Sequence, residues 1–81
     1  MFNLEKSLVY YLSAISSNSR VIERLKANTA KLNFTNDEKD LLDDAAIENA
    51  QCYEQGNVYS EVLSSMMDAR VSIVSNNLNM L

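Results

Sequence analysis

Histidine, proline and tryptophan are absent from this chain, and it carries one glycine, Gly56, and one cysteine, Cys52. Without histidine there is no usual general base, no Ser-His or Cys-His nucleophile pair and no Glu-x-x-His di-metal helix pair. A single cysteine closes no intrachain disulfide and builds no structural zinc site; it fits a reducing compartment. No glycine-rich loop is present to cradle a phosphate. No apolar run approaches the roughly 18 residues a membrane span needs, and no signal-peptide pattern opens the chain, so it reads as soluble as it stands. An enzyme is not expected. With turn chemistry nearly missing, the prediction is a few long helices.

What is present is acidic and moderately apolar. Seven basic residues face eleven acidic ones, for a net charge of −4. Nothing here neutralises a phosphate backbone, which excludes nucleic acid, and an anionic membrane surface is disfavoured for the same reason. The 81 residues, 47% of them hydrophobic, suffice for one small folded unit. A core in so short a chain is marginal, so self-association is expected to supply missing burial.

Apolar and semi-apolar positions at Leu4, Leu8, Tyr11, Ile15, Ile22, Leu25 and Leu32 are spaced by threes, fours and their sums. That spacing predicts an amphipathic helix with a coiled-coil-like seam over about residues 3–31, with Asn3 as its N-cap and Asn18 and Thr29 as weak points. Leu32-Asn33-Phe34 breaks the pattern. Thr35-Asn36-Asp37-Glu38 then has the S/T-x-x-E form of a capping box and starts a second helix, whose dipole favours Asp37, Glu38 and Asp40. Its seam runs through Leu42, Ala45, Cys52, Tyr59, Leu63, Met66 and Ile73, to about residue 79. The expected fold is all-α: an antiparallel hairpin with arms of about 3–31 and 36–79, associating into a dimer or other bundle when isolated. A first helix that short leaves the far half of the second without an intrachain partner.

Two constellations could carry chemistry. The first is acidic: Asp40, Asp44 and Glu48 share a face beside Asp43, and like charges at that spacing repel unless a cation or a basic partner intervenes. Hard carboxylate oxygens suit Mg²⁺ or Ca²⁺; a solvated helix start is the alternative. An EF-hand over residues 33–44 is excluded by Glu38 at the glycine position and Leu41 at a ligand position. The second is a line of small polar side chains, Glu61, Ser65, Asp68, Ser72, Ser75 and Asn79. Apolar lines flank it, one through Val62, Met66, Ala69 and Ile73, the other through Leu63, Met67, Val74, Leu78 and Leu81. Around a symmetry axis such a line would make an oxygen-lined path for a hydrated cation; a plain solvent face is the alternative. Arg70 either pairs with a neighbour's carboxylate or turns its charge outward.

The opening Asn3-Leu4-Glu5-Lys6-Ser7-Leu8-Val9-Tyr10-Tyr11 and the closing run from Met67 to Asn79, ending Ser75-Asn76-Asn77-Leu78-Asn79, resemble the CorA family of magnesium and cobalt transport proteins. The likeness covers nearly the whole chain. It implies a pentameric funnel in which residues 1–34 are the penultimate cytoplasmic helix and its turn. Residues 35–81 would be the cytoplasmic part of the stalk helix, stopping just before the first transmembrane helix. By the same likeness Asn79 matches a pore-lining asparagine, and Asp68 an acidic position on the funnel wall, with Ser72 and Ser75 on the same line. Asp44, or its neighbour Asp43, matches a stalk aspartate that binds a regulatory Mg²⁺ between subunits. The implied mechanism is negative feedback: cations bridge adjoining subunits in the closed ring, and their loss lets the subunits splay.

The resemblance further implies that the isolated segment binds Mg²⁺ weakly or not at all, lies on the cytoplasmic side of the cell membrane, and meets the bilayer only through helices downstream. Arg70 stands where the family more often has an apolar or aromatic residue. The rival expectation is a cytosolic coiled-coil adaptor with no ion role.

Overall fold

The computed structural model describes residues 2–79, and Leu81 of the second apolar line lies outside them. Two helices form an antiparallel hairpin: α1, Phe2–Ala27, and α2, Asn36–Asn79. The all-α hairpin is as expected. At 26 and 44 residues the arms are unequal, and the molecule is a rod of 71 × 16 × 14 Å.

The boundaries of α1 differ from those read in the sequence. Asn3 is inside the helix, because the helical backbone already begins at Phe2. The other end stops four residues early, at Ala27 instead of Lys31, and the cause is Asn28. Its side-chain Nδ2 donates to the Arg24 carbonyl (2.7 Å), taking the acceptor its own backbone amide would use in a continuing helix. That amide bonds Leu25 O instead (3.1 Å), tightening the last turn.

The connection then closes with its own cap. The Phe34 amide donates to Thr29 O (3.1 Å) and the Asn33 amide to Ala30 O (3.3 Å). Asn33 adopts φ 56°, the left-handed position that asparagine tolerates at the end of a Schellman motif. Two residues later the capping box forms as read: Glu38 N–H donates to Thr35 Oγ1 (3.1 Å) and Thr35 N–H to Glu38 Oε1 (3.0 Å). Back-to-back caps give several of the backbone groups at the two helix ends and in the connection their partners within a few residues, which is how the chain reverses without proline or glycine.

The seam between the helices is thin. Ile15 and Leu63 are the buried apolar side chains among the described residues, each 6% exposed. Leu8, Leu12, Ile22, Leu25, Leu42, Ala46, Cys52 and Met67 are half-buried. Leu12, Asn49 and Gly56 were not read as seam positions, yet they make its closest approaches. Asn49 Nδ2 donates to Ile15 O (3.1 Å) and to Ser19 Oγ (2.6 Å). Gly56 is buried, and a Cβ there would lie 2.5 Å from Leu12 Cδ2 and 3.4 Å from Tyr11 Cε1. The glycine is there for proximity rather than for its φ. Where α1 runs out, α2 continues alone: residues 68–79 are all exposed. The uncovered part of α2 is thus its last quarter, not its far half, because the short connection lets α1 run back along α2 as far as Met66 and Met67.

Candidate functional site

The acidic end of α2 is organised by its cap. The Thr35 amide, and then the Thr35 hydroxyl, hold the Glu38 carboxyl below its ordinary value, since hydrogen bonds to the ionised form favour it. One helical turn on, Asp43 lies 3.7 Å from Lys26 Nζ at the end of α1, with both side chains exposed. An ion pair in that setting is worth about 0–1 kcal/mol. Asp44 is one step round the helix and exposed, with Asp40 and Glu48 above and below it on the same face. Among the described residues no three acidic or cysteine side chains converge to hold a metal ion. The structure therefore brings Asp43 to Lys26 and leaves Asp44 pointing outward. A cation held at Asp44 would take further oxygen ligands from water or from another chain.

At the other end, Asp68, Ser72, Ser75 and Asn79 all fall on the free part of α2, exposed and on one side of it. Arg70 is exposed too, on the opposite side of the helix. Next to this free segment an apolar cleft of about 520 Å³ opens between the arms, lined by Leu4, Leu8, Tyr11, Tyr59, Leu63 and Met66 among others. On the wall of this cleft the Tyr11 phenol is held above its ordinary value, first by the polar influence of the neighbouring Cys52 thiol and then by desolvation. No described helix is long and apolar enough to cross a membrane.

Sequence reasoning missed Asn49 and Gly56, the two residues that pin α1 onto α2. The signal was available in part. Asn49 lies seven residues past Leu42 and Gly56 seven further, on the heptad line itself, but an amide and a glycine do not register in a search for apolar residues.

The fold defines the class: an all-α helical hairpin with a thin covered seam and large apolar side chains exposed along its length, from Leu4 at 60% to Leu78 at 66%. The family follows from comparison. The model of the CorA-like Mg²⁺ transporter proteins matches residues 1–81, and the chain belongs to that family, whose members are membrane proteins that transport divalent cations. No curated protein and no solved structure matches it significantly.

Proposed function

We propose that this chain is the cytoplasmic regulatory stalk segment of a CorA-like channel, with residues 1–34 forming the penultimate helix and its turn and residues 35–81 the stalk. In that reading Asp68, Ser72, Ser75 and Asn79 line the funnel that leads to the pore. Asp44, with Asp43 beside it, is the stalk's contribution to a regulatory Mg²⁺ shared between subunits of a pentamer. The observation that carries the reading is the free end of α2. In a chain whose family transports divalent cations, it presents one line of small neutral oxygens and a single carboxylate, with no lysine, clear of the helix that covers the rest. A solvent face usually carries lysine and glutamate; a path for a hydrated cation wants oxygen and few fixed charges. Family membership also favours a transport role over the coiled-coil adaptor.

The regulatory part follows from charge. Carboxylates from adjoining subunits repel at close range unless a cation lies between them, so Mg²⁺ that binds only the closed ring stabilises it. The exposed face that carries Asp44 fits half of such a site, with the other ligands supplied across a subunit boundary. In the transporter that contains this chain, Asp43→Ala with Asp44→Ala is expected to keep Mg²⁺ uptake high when internal Mg²⁺ is high. Uptake that still shuts down at the same internal concentration would remove the sensor role from these residues.

A further inference from the structure

We infer that Asn49 is the register key of the hairpin: its amide holds α1 at one height along α2, and so sets which residues of α2 stand clear of α1. This is independent of any metal role of Asp43 and Asp44 and of the direction in which the polar line faces.

The apolar pattern by itself does not fix the height. Leu12 stands level with Gly56, Ile15 and Ser19 with Asn49, and Lys26 with Asp43. A slide of one heptad, about 10 Å, turns the facing sides by only about 20°, so the same stripe of α1 still meets α2. If α1 moves that far away from the turn, Leu12 comes level with Leu63, Leu8 with Met67 and Ser19 with Gly56. Apolar residues meet apolar residues again, and a serine meets the glycine without a clash. The observed packing resists such a slide only weakly. Open grooves of about 520 and 430 Å³ flank the seam, whose buried apolar side chains among the described residues are Ile15 and Leu63. The connection over residues 28–35 does not forbid it either, since drawn out it spans about 25 Å. Residues 30–33, whose turn bonds would open, are exposed, where water replaces those bonds.

The amide does discriminate. Asn49 is half-buried, and its Nδ2 donates to Ile15 O (3.1 Å) and Ser19 Oγ (2.6 Å), a carbonyl and, one turn on, a hydroxyl. After the slide the residues at that height are Ile22 and Lys26; after a slide the other way they are Leu8 and Leu12. Neither pair offers a side-chain acceptor, so the amide loses one of its two partners in both. A single polar residue at a seam position sets register in coiled coils by the same means. Register in turn decides the reach of α1. At the observed height its cover ends at Met66 and Met67, and residues 68–79 are exposed. One heptad further, Leu4 stands level with Val71, and Asp68 lies beside α1 instead of clear of it.

Distances between spin labels at Val9 and Lys39, both exposed, test this in a Cys52→Ser background. The labelled chain is diluted in unlabelled chain, so that distances between copies drop out. At the observed height the two positions are about 30 Å apart along the rod, and the slide adds about 10 Å. The parent should give the shorter distance alone, and Asn49→Leu should add the longer one. Asn49→Gly with Gly56→Asn moves the amide one heptad along α2, where Ile15 and Ser19 meet it only after the slide. In this transplant the longer distance should dominate. Adding Ser19→Ala leaves the bulk at position 56 unchanged but removes an acceptor, and the share of the longer distance should fall. Circular dichroism checks that the helices persist. A folded transplant that keeps its main distance near 30 Å would overturn the inference, and so would a longer distance whose share Ser19→Ala leaves untouched, which assigns the shift to bulk. If the transplant loses its helices, Asn49→Leu decides: the shorter distance alone, with helices intact, means that something other than the amide holds the register.

Discussion

At the scale of single residues, Thr35 and Glu38 do the most with the least. Their two reciprocal hydrogen bonds start a 44-residue helix directly after a left-handed Asn33. Thr35→Ala is expected to cost about 1 kcal/mol of stability, the usual effect of losing a threonine cap, readable as a lower Tm. Glu38 adds a pH dependence whose sign follows from its depressed pKa, lowered from 4.5 by the Thr35 amide and hydroxyl. A group with a lower pKa in the folded state contributes stability above its unfolded value and loses it as pH falls through the folded one. The Tm gap between the parent and Glu38→Gln should thus be open near neutral pH and shrink as the pH falls below about 4.5. A gap that stays constant through that range would show that the charge of Glu38 does not matter to the cap.

This cap was legible because its signal is local and chemical: a threonine, a glutamate, and the spacing between them. The end of α1 was not. Asn28 stops the helix by presenting an amide to Arg24 O, and nothing in the apolar pattern separates an asparagine that does so from one that faces solvent, as Asn18 does.

Among the elements, the hairpin depends on where α2 allows α1 to come close. Gly56 in mid-helix forgoes about 1 kcal/mol of helix propensity relative to alanine, and the proximity of Leu12 explains why it stands there. Two effects oppose each other in Gly56→Ala: the propensity gain, and a methyl group pressed against the end of the Leu12 side chain, which can turn aside at modest cost. A small net change in Tm is expected. Gly56→Leu has no such escape and should destabilise by about 1–3 kcal/mol, the usual range for overpacking, and Leu12→Ala in the same chain should relieve much of it. If Gly56→Leu left Tm unchanged, the helices would not be in contact at this point. The period of the seam was readable at Leu8, Ile15, Leu42 and Leu63 because apolar residues announce it. Its tightest points were not, since they are made by a residue with no side chain and by an amide.

For the whole molecule, the arithmetic of length carries function. α1 is 26 residues and α2 is 44, so one arm must outrun the other, and the surplus is where the oxygen-bearing line falls. That surplus was readable from the distance between the two helix starts. Which side of it would face inward in the proposed assembly was not, because the chain's own contacts do not reach residues 68–79. Ile73 and Leu78, 60% and 66% exposed, offer apolar flanks on either side of the polar line, and in the proposed ring a cover over both flanks would turn that line to the centre. In such a ring Asn79 stands nearest the pore, and its replacement by leucine is expected to lower cation current or change ion preference. Unaltered currents would move it off the path.

The orientation of that line in the assembled transporter can be measured directly. Single cysteines at Ser72 and Ser75 are compared with cysteines at Ile73 and Val74, in a Cys52→Ser background, by thiol modification during cation flux. Modification at Ser72 and Ser75 is predicted to block or slow the flux and to be retarded by Mg²⁺ in the funnel, while Ile73 and Val74, packed between copies, react slowly. Rapid reaction at Ser72 and Ser75 with no effect on flux and no protection by Mg²⁺ would place the polar line on the outside and contradict the stalk assignment.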